Sequence, residues 1–506
     1  TLIPEIPLSR IGFTWANREP DADRSKYGIL TKITYPTSGY TVFDYEAHDF
    51  GYVKTITGVS LVEQTGGVRI AKMTHNDALT GADQVRKYVY RFADTPTRSS
   101  GILVGRPVYH YDYNEKIHVD VDNNGTEDVI SDCEFLVASS ASQVYLGGSQ
   151  GSHIGYQEVT EYFEDGNANG KQWHRFTSFL DFPDYGNYNT FPFPPPTSYD
   201  HARGKLKENK VYRYKSDPGT FYEVKRQINT YDFDELSSKK KKKIMKSYLN
   251  YFQGGTIFDH IAGAEDYEFK KIWMRLAQTD TYDYEDDGTN GIHQTVTYEY
   301  GSNHLQLVEE THTDSPGSQI AITRYTYPLD YTIPAVTLDN AAQAIKDMQD
   351  NNVISTVIEQ RQITKYGMTE KTDAAQITTF YPATALAHQA YSFSSDKGET
   401  SWTTGSINGS GIFQKDSRYS HDATYDQYDA YGNLQQITPA SGVTESLMWG
   451  YGSKLPIVRA IGVPYSVLIG VNASAPSLTG SSIESYSGTV KSYLASNAIL
   501  GHVYTY

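Results

Sequence analysis

The sequence predicts a mainly β protein built from antiparallel hairpins, with few and short helices. Three observations carry this. The 506 residues include 43 Tyr and 41 Gly against 6 Met, a composition suited to half-exposed strands and tight turns, because tyrosine joins an apolar ring to a wet hydroxyl. Segments alternating apolar and polar residues recur between turn residues, at 30–46 (LTKITYPTSGYTVFDYE), 84–92 (QVRKYVYRF), 106–114 (RPVYHYDYN), 155–179 and 293–313. A period of two bounded by Gly, Asn, Asp and Pro is the signature of strands and hairpins. Helical signal, by contrast, is confined to two stretches.

Within the alternating segments the pattern Tyr-x-Tyr returns, at Tyr88/Tyr90, Tyr109/Tyr111/Tyr113, Tyr212/Tyr214, Tyr282/Tyr284, Tyr298/Tyr300, Tyr325/Tyr327 and Tyr504/Tyr506. Residues two apart share a strand face, so each pair lays its rings side by side. The first helical stretch is 337–352 (TLDNAAQAIKDMQDNN), with Asp339 to cap it and Ala341, Ile345 and Met348 on one face. The second, 237–252 (SSKKKKKIMKSYLNYF), reads as a short helix with a solvated lysine face. Successive prolines in 191–200 (FPFPPPTSYD) exclude a central strand and leave a rigid connector or a surface strap. A Gly/Ser/Thr-rich tract at 396–411 reads as a loop. These features divide the chain into an N-terminal β region, 1–190, a middle hairpin region with the two short helices, 191–410, and a last β region, 411–506. No fixed repeat period runs through them.

A formal charge of −16 repels polyanions, so nucleic acid is not an expected partner. Cys133 is the single cysteine, which excludes an intrachain disulfide and any CxxC motif. No apolar run reaches the ~18 residues of a membrane-spanning helix. Residues 1–20 lack the basic start and apolar middle of a signal peptide, and the chain opens on Thr, so it reads as a processed product or a piece of something longer.

One stretch has the chemistry of a metal site. In 120–128 (DVDNNGTED), Asp120, Asp122, Asn124 and Asp128 offer side-chain oxygens and Thr126 its carbonyl to a hard cation, with Gly125 at the sharp turn; calcium would be the cofactor. An EF-hand needs a bidentate acid at its twelfth position, which is Ser131 here, and the flanks 115–119 and 129–137 alternate as strands. The expectation is a calcium loop between strands, and the same residues equally suit an acidic turn without metal. Gly147-x-Ser149-x-Gly151 has the spacing of a nucleophile elbow, but 152–163 alternates as a strand where an elbow needs a helix, so it reads as a turn and His153 as a packing residue. No HExxH, P-loop or dinucleotide fingerprint occurs, and the 14 His are scattered. An enzyme is not expected.

Residues 428–434, YDAYGNL, compress a strand, a turn and a returning strand into seven positions. Tyr428, Asp429, Gly432 and Leu434 resemble the Tyr-Asp-x-x-Gly-x-Leu motif, the YD repeat, of the RHS (rearrangement hot spot) family. In such a unit the tyrosine packs on a neighbouring strand, the aspartate bonds turn amides and the glycine supplies positive φ. The stretches 33–46, 66–70 (GGVRI), 151–163, 191–214 and 448–466 are similar to the N-terminal part of large secreted RHS-like proteins of Bacteroidota. The resemblance implies a curved or spiralling sheet, a β-shell that hides its own edges, and a mechanical role: enclosing or presenting a C-terminal cargo domain, a toxin in several members. It also implies that YD repeats and cargo follow Tyr506 as partners within the same chain. Export to the surface or medium through type IX secretion would add the secretion machinery or a surface carrier protein. The alternative is a cell-surface carbohydrate-binding or adhesion protein that holds glycans on exposed tyrosines. A glycan-cleaving enzyme would need a convergent carboxylate pair that no motif marks.

Overall fold

The structure, a computed structural model, describes residues 17–53, 63–79, 81–119, 128–147, 151–163, 169–217, 219–250, 257–314, 319–471, 490–498 and 500–504. The chain divides into two compact units, Thr1–His293 and Gln294–Tyr506. Both are antiparallel β structures, as the period-two patterning predicts.

In the first unit the strands Lys32–Thr34, Tyr40–Phe50, Glu63–Asn76, Gln84–Val89, Glu158–Phe163, Gly170–Phe176, Leu206–Lys215, Thr220–Asn250 and Ile257–Asp283 each pair antiparallel with the next. Between Gln84–Val89 and Glu158–Phe163 the chain makes an excursion. There Gly101–Leu103 pairs parallel with Tyr52–Val53 and antiparallel with Ile154–Tyr156. The same excursion carries the hairpin His110–Val119 with Asp128–Ala138. Small apolar cores form around it, one from Phe50, Leu103 and Ile154, another from Ile102, Val104 and Phe179.

The lysine-rich stretch departs from its helical reading. Residues 237–250 belong to the strand Thr220–Asn250. Its register sets Lys240 opposite Glu268, Lys242 opposite Asp266 and Lys243 opposite Glu265, with ion pairs of 3.7 Å at Lys240–Glu268 and 3.5 Å at Lys242–Asp266. On a helix, five consecutive lysines would crowd like charges three and four residues apart. The strand instead alternates them between faces and sets three of them opposite carboxylates, with Lys239 and Lys241 opposite Phe269 and Tyr267.

The second unit is a meander. Ile292–Tyr300, Leu307–Thr313, Ile320–Thr326, Glu359–Tyr366, Thr369–Phe380, Ala387–Glu399, Ser420–Tyr428, Leu434–Pro439, Glu445–Gly450, Leu455–Ile461 and Leu500–Val503 pair antiparallel in chain order. The helix Asn340–Asp350 starts where Asp339 accepts a hydrogen bond from the Ala342 amide at 2.8 Å. Its buried face is Ala342, Ala344, Ile345 and Met348, so Ala342 rather than the expected Ala341 turns inward. That face joins Ile358, Ile377, Phe380 and Tyr419 in one core, and Met448, Ile457, Val458 and Leu468 build a second. Among the described residues no helix is long and apolar enough to cross a membrane.

Candidate functional site

The groups that most constrain this fold are polar and buried. In the first unit they gather on Arg69, whose side chain is 6% exposed on the strand Glu63–Asn76. Its Nε donates to Glu46 Oε1 at 2.6 Å, and its Nη1 donates to Asp49 Oδ1 and to the Tyr156 hydroxyl, each at 2.7 Å. The guanidinium lies 4.4 Å from the Tyr90 ring centre and 4.9 Å from that of Tyr156, so two tyrosine faces cover its charge. Asp49 also accepts from Arg91 Nη1 at 2.9 Å and from Ser99 Oγ at 2.6 Å. Three of the stretches that carry the family resemblance supply Glu46, Arg69 and Tyr156. They are separated in sequence and meet at one guanidinium.

This knot is sensitive to acid. Burial alone would raise the Asp49 pKa, but hydrogen bonds from Arg91, Arg69 and Ser99 bring it down to about 2. Beside it, His48 Nδ1 lies 2.9 Å from the Tyr156 hydroxyl. Burial, reinforced by His153 and Arg69, lowers the His48 pKa to about 4. Both folded values lie below the ordinary ones of 3.8 and 6.5, so both groups stabilise the fold at neutral pH, and that stabilisation is lost as pH falls through the folded values. The first unit should therefore weaken in two stages, between pH 6.5 and about 4 through His48 and then towards about 2 through Asp49. Urea midpoints measured against pH should show both stages, and His48→Gln should diminish the first, to which the half-buried His153 and His174 also contribute, while leaving the second.

A second buried cation, Arg203, lies just after the proline-rich segment 191–200. Arg203 and Asp184 form an ion pair in which each side chain is 3% exposed. The Arg203 guanidinium stacks 3.7 Å from the Phe179 ring centre, and its Nε donates to the Phe182 carbonyl at 2.8 Å.

In the second unit the most buried carboxylate among the described residues is Glu359, 1% exposed. Its Oε1 accepts from the Tyr419 hydroxyl at 2.9 Å and from Trp402 Nε1 at 3.2 Å, while Oε2 accepts from the Gly405 amide at 2.8 Å. All three donors belong to residues 400–419, the excursion between the strands Ala387–Glu399 and Ser420–Tyr428. Asp339 Oδ2 accepts from the Phe413 amide at 3.0 Å, and Asp416 Oδ2 accepts from the Thr403 amide at 2.9 Å. Three carboxylates thus pin a segment that overlaps the tract 396–411 read as a loop, of which 396–399 continue the strand Ala387–Glu399 and Ser406–Ile407 form a short strand.

The hairpin at 428–434 lies further along the same meander. Tyr428 pairs with Leu434 across the strands Ser420–Tyr428 and Leu434–Pro439. Its hydroxyl donates to the Ala387 carbonyl of a neighbouring strand at 2.8 Å, and burial pushes its pKa up to about 12. Asp429 Oδ1 accepts from the Tyr431 and Asn433 amides, both at 2.9 Å, and Oδ2 accepts from Asn433 Nδ2 at 2.9 Å. Burial would raise the Asp429 pKa, yet the bonds from Asn433 and Tyr431 hold it below the usual carboxylate range. Gly432 has φ +84°. Gly432→Ala should cost about 1–2 kcal/mol, the strain of a Cβ in a left-handed conformation, read as a fall in the urea midpoint of the second unit. The same turn is tied to the next hairpin: Asn433 Nδ2 donates to the Ser453 carbonyl and Trp449 Nε1 to the Leu434 carbonyl, each at 2.7 Å. Two further stretches that carry the resemblance, 428–434 and 448–466, are therefore in direct contact.

The calcium candidates Asp120, Asp122, Asn124 and Thr126 lie outside the described residues, as does Ser149. Asp128 begins the strand Asp128–Ala138 and pairs with Val119 of the strand His110–Val119. His153 Nε2 is buried without a hydrogen-bond partner among the described residues, and its ring meets His48 edge-on at 5.6 Å.

These features define two antiparallel β units in which the buried charges Arg69, Asp49, Arg203 and Glu359 hold strands and excursions together. No family model matches the chain, and no curated protein matches it. Among solved structures it is similar to TcdB2-TccC3 without its hypervariable C-terminal region, at 10% identity and TM-score 0.42, covering 86% of this chain and 23% of that one. It is also similar to TcdB2-TccC3 itself, at 9% identity and TM-score 0.42, over 85% of this chain and 24% of the other. TcdB2-TccC3-TEV gives 9% identity and TM-score 0.38, over 86% and 23%. The chain spans about a quarter of the length of these structures.

Proposed function

We propose that this chain is a stretch of wall in a secreted RHS-type β-shell which, with the remainder of its own polypeptide, encloses or presents a C-terminal cargo domain. The observation that supports this best is the meander of the second unit, from Ile292–Tyr300 to Leu500–Val503, in which the strands of the main sheet pair in chain order and only the short pair Ser406–Ile407 and Phe413–Gln414 stands apart. Such a sheet covers every internal strand edge and grows by adding hairpins, which is what a wall requires. Its most buried carboxylate, Glu359, is fully engaged in pinning an excursion and has no position from which to meet a substrate. In this reading the protein is not an enzyme, and calcium would be held by the carboxylates of 120–128. Limited proteolysis of the native polypeptide from its source tests the proposal. The wall should be cut no later than the C-terminal domain, which stays protected until the wall opens. Early release of an intact C-terminal domain, or a polypeptide with no such domain, would overturn it.

A further inference from the structure

We infer that a cleft in the second unit binds an acidic oligosaccharide, with the carboxylate of a hexuronic acid unit seated on Arg361. The cleft has a volume of about 420 Å³, and Glu299, Asn303, Glu309, Arg324 and Arg361 contribute to its lining. Strand register creates a row of charges. Glu299 lies opposite Glu309, Glu309 opposite Arg324, and Arg324 opposite Arg361. The row crosses four strands, so its ends are separated by roughly 14 Å, three interstrand spacings.

The middle of the row is saturated. Arg324 donates through Nε to Glu309 Oε2 at 2.5 Å and grips Glu370 through Nη1 and Nη2 at 2.6 and 3.0 Å. The ends are not. Arg361 is half-buried and makes no hydrogen bond or ion pair among the described residues, although it faces a second guanidinium across the strand pair. Like charges directly opposite one another are unfavourable, and so is a desolvated charge without a partner. Burial and Arg324 both act to lower the Arg361 pKa, against the raising influence of Glu359. At the other end Glu299 is exposed and likewise makes no such bond among the described residues.

The cleft wall is held firmly. Gln306 donates its amide to His304 Nδ1 at 3.0 Å, which leaves Nε2–H to donate to Asp330 at 3.1 Å. Gly301 fits beneath the ring where a Cβ would approach it to 2.3 Å. The tip that carries Asn303 is thereby fixed at the rim.

A bare anion suits Arg361 but meets repulsion from Glu299 and Glu309. A zwitterionic amino acid is too short for the row. A sugar acid of two or more units satisfies both ends, placing its carboxylate on the guanidinium and donating hydroxyl protons to the carboxylates.

Titration calorimetry of the 506-residue chain with digalacturonic acid, maltose and a tetraglutamate peptide tests this. Digalacturonic acid should bind saturably and maltose at least about tenfold more weakly, and Arg361→Gln should lower the digalacturonic acid affinity by about ten- to a hundredfold, the loss of a charged hydrogen bond. Glu299→Gln, a change at an exposed position, should weaken it severalfold. Arg361→Gln should melt no lower than the parent chain, since it removes an unpaired charge. Absence of digalacturonic acid binding, equal binding of maltose, an unchanged affinity in Arg361→Gln, or a lowered melting temperature would each overturn the inference. Tighter binding of the peptide would overturn it in favour of an acidic-protein site.

Discussion

Arg69→Met is expected to destabilise the first unit by about 3 kcal/mol, the lower end of the ~3–5 kcal/mol for breaking a buried ion pair from one side. The lower end applies because Asp49 keeps Arg91 and Ser99, while Glu46 loses its guanidinium and the Tyr156 hydroxyl loses a donor. Methionine matches the length of the removed side chain, so the loss reports on polar pairing rather than on a cavity. Arg69→Lys should recover only part of it, because an ammonium cannot reproduce the planar fork between Glu46 and Asp49. Urea unfolding that resolves the two units should show the first transition moved and the second unchanged. A shift below about 1 kcal/mol would mean that the knot is not what holds its three strands.

Glu359→Ala is the second large effect. It leaves the Trp402 indole, the Tyr419 hydroxyl and the Gly405 amide without their acceptor inside a core. At about 1–3 kcal/mol for each unsatisfied buried donor, the loss should be on the order of 4 kcal/mol. Glu359→Gln retains one acceptor oxygen but turns an amide towards donors, and about half of that loss is expected. Hydrogen exchange locates the effect. Amides of residues 403–419 should lose protection first, while those of the strand Thr369–Phe380 keep theirs. Uniform loss across the unit would instead make Glu359 a global core residue rather than a local pin.

What the sequence made legible followed the range of the interactions. The period-two segments and scarce helical signal lead to the observed antiparallel strands, because alternation is a local consequence of burying one sheet face. The turn at 429–433 is readable for a similar reason, since its donors and acceptors lie within five residues of one another. The helix Asn340–Asp350 announces its cap and buries Ile345 and Met348 as the spacing predicts, with Ala342 in place of Ala341 on that face. The lysine run misleads because its partners, Glu265, Asp266 and Glu268, arrive from another strand more than twenty residues later.

The knots were not legible at all. Glu46, Arg69 and Tyr156 are ordinary residues in ordinary strands until pairing brings them together, and Glu359 is one glutamate among many until residues 400–419 fold over it. The resemblance marks the stretches that hold Glu46, Arg69 and Tyr156 without saying what they touch, and it does not reach Glu359. The Arg361 cleft is harder still to foresee, because it depends on four strands being in register.

The most direct test of the wall reading is electron cryomicroscopy of the complete polypeptide purified from its source. The account predicts that residues 1–506 form part of a closed, curved sheet, continued by further hairpins and surrounding density for a C-terminal domain. A sheet that stays open and encloses nothing would contradict it.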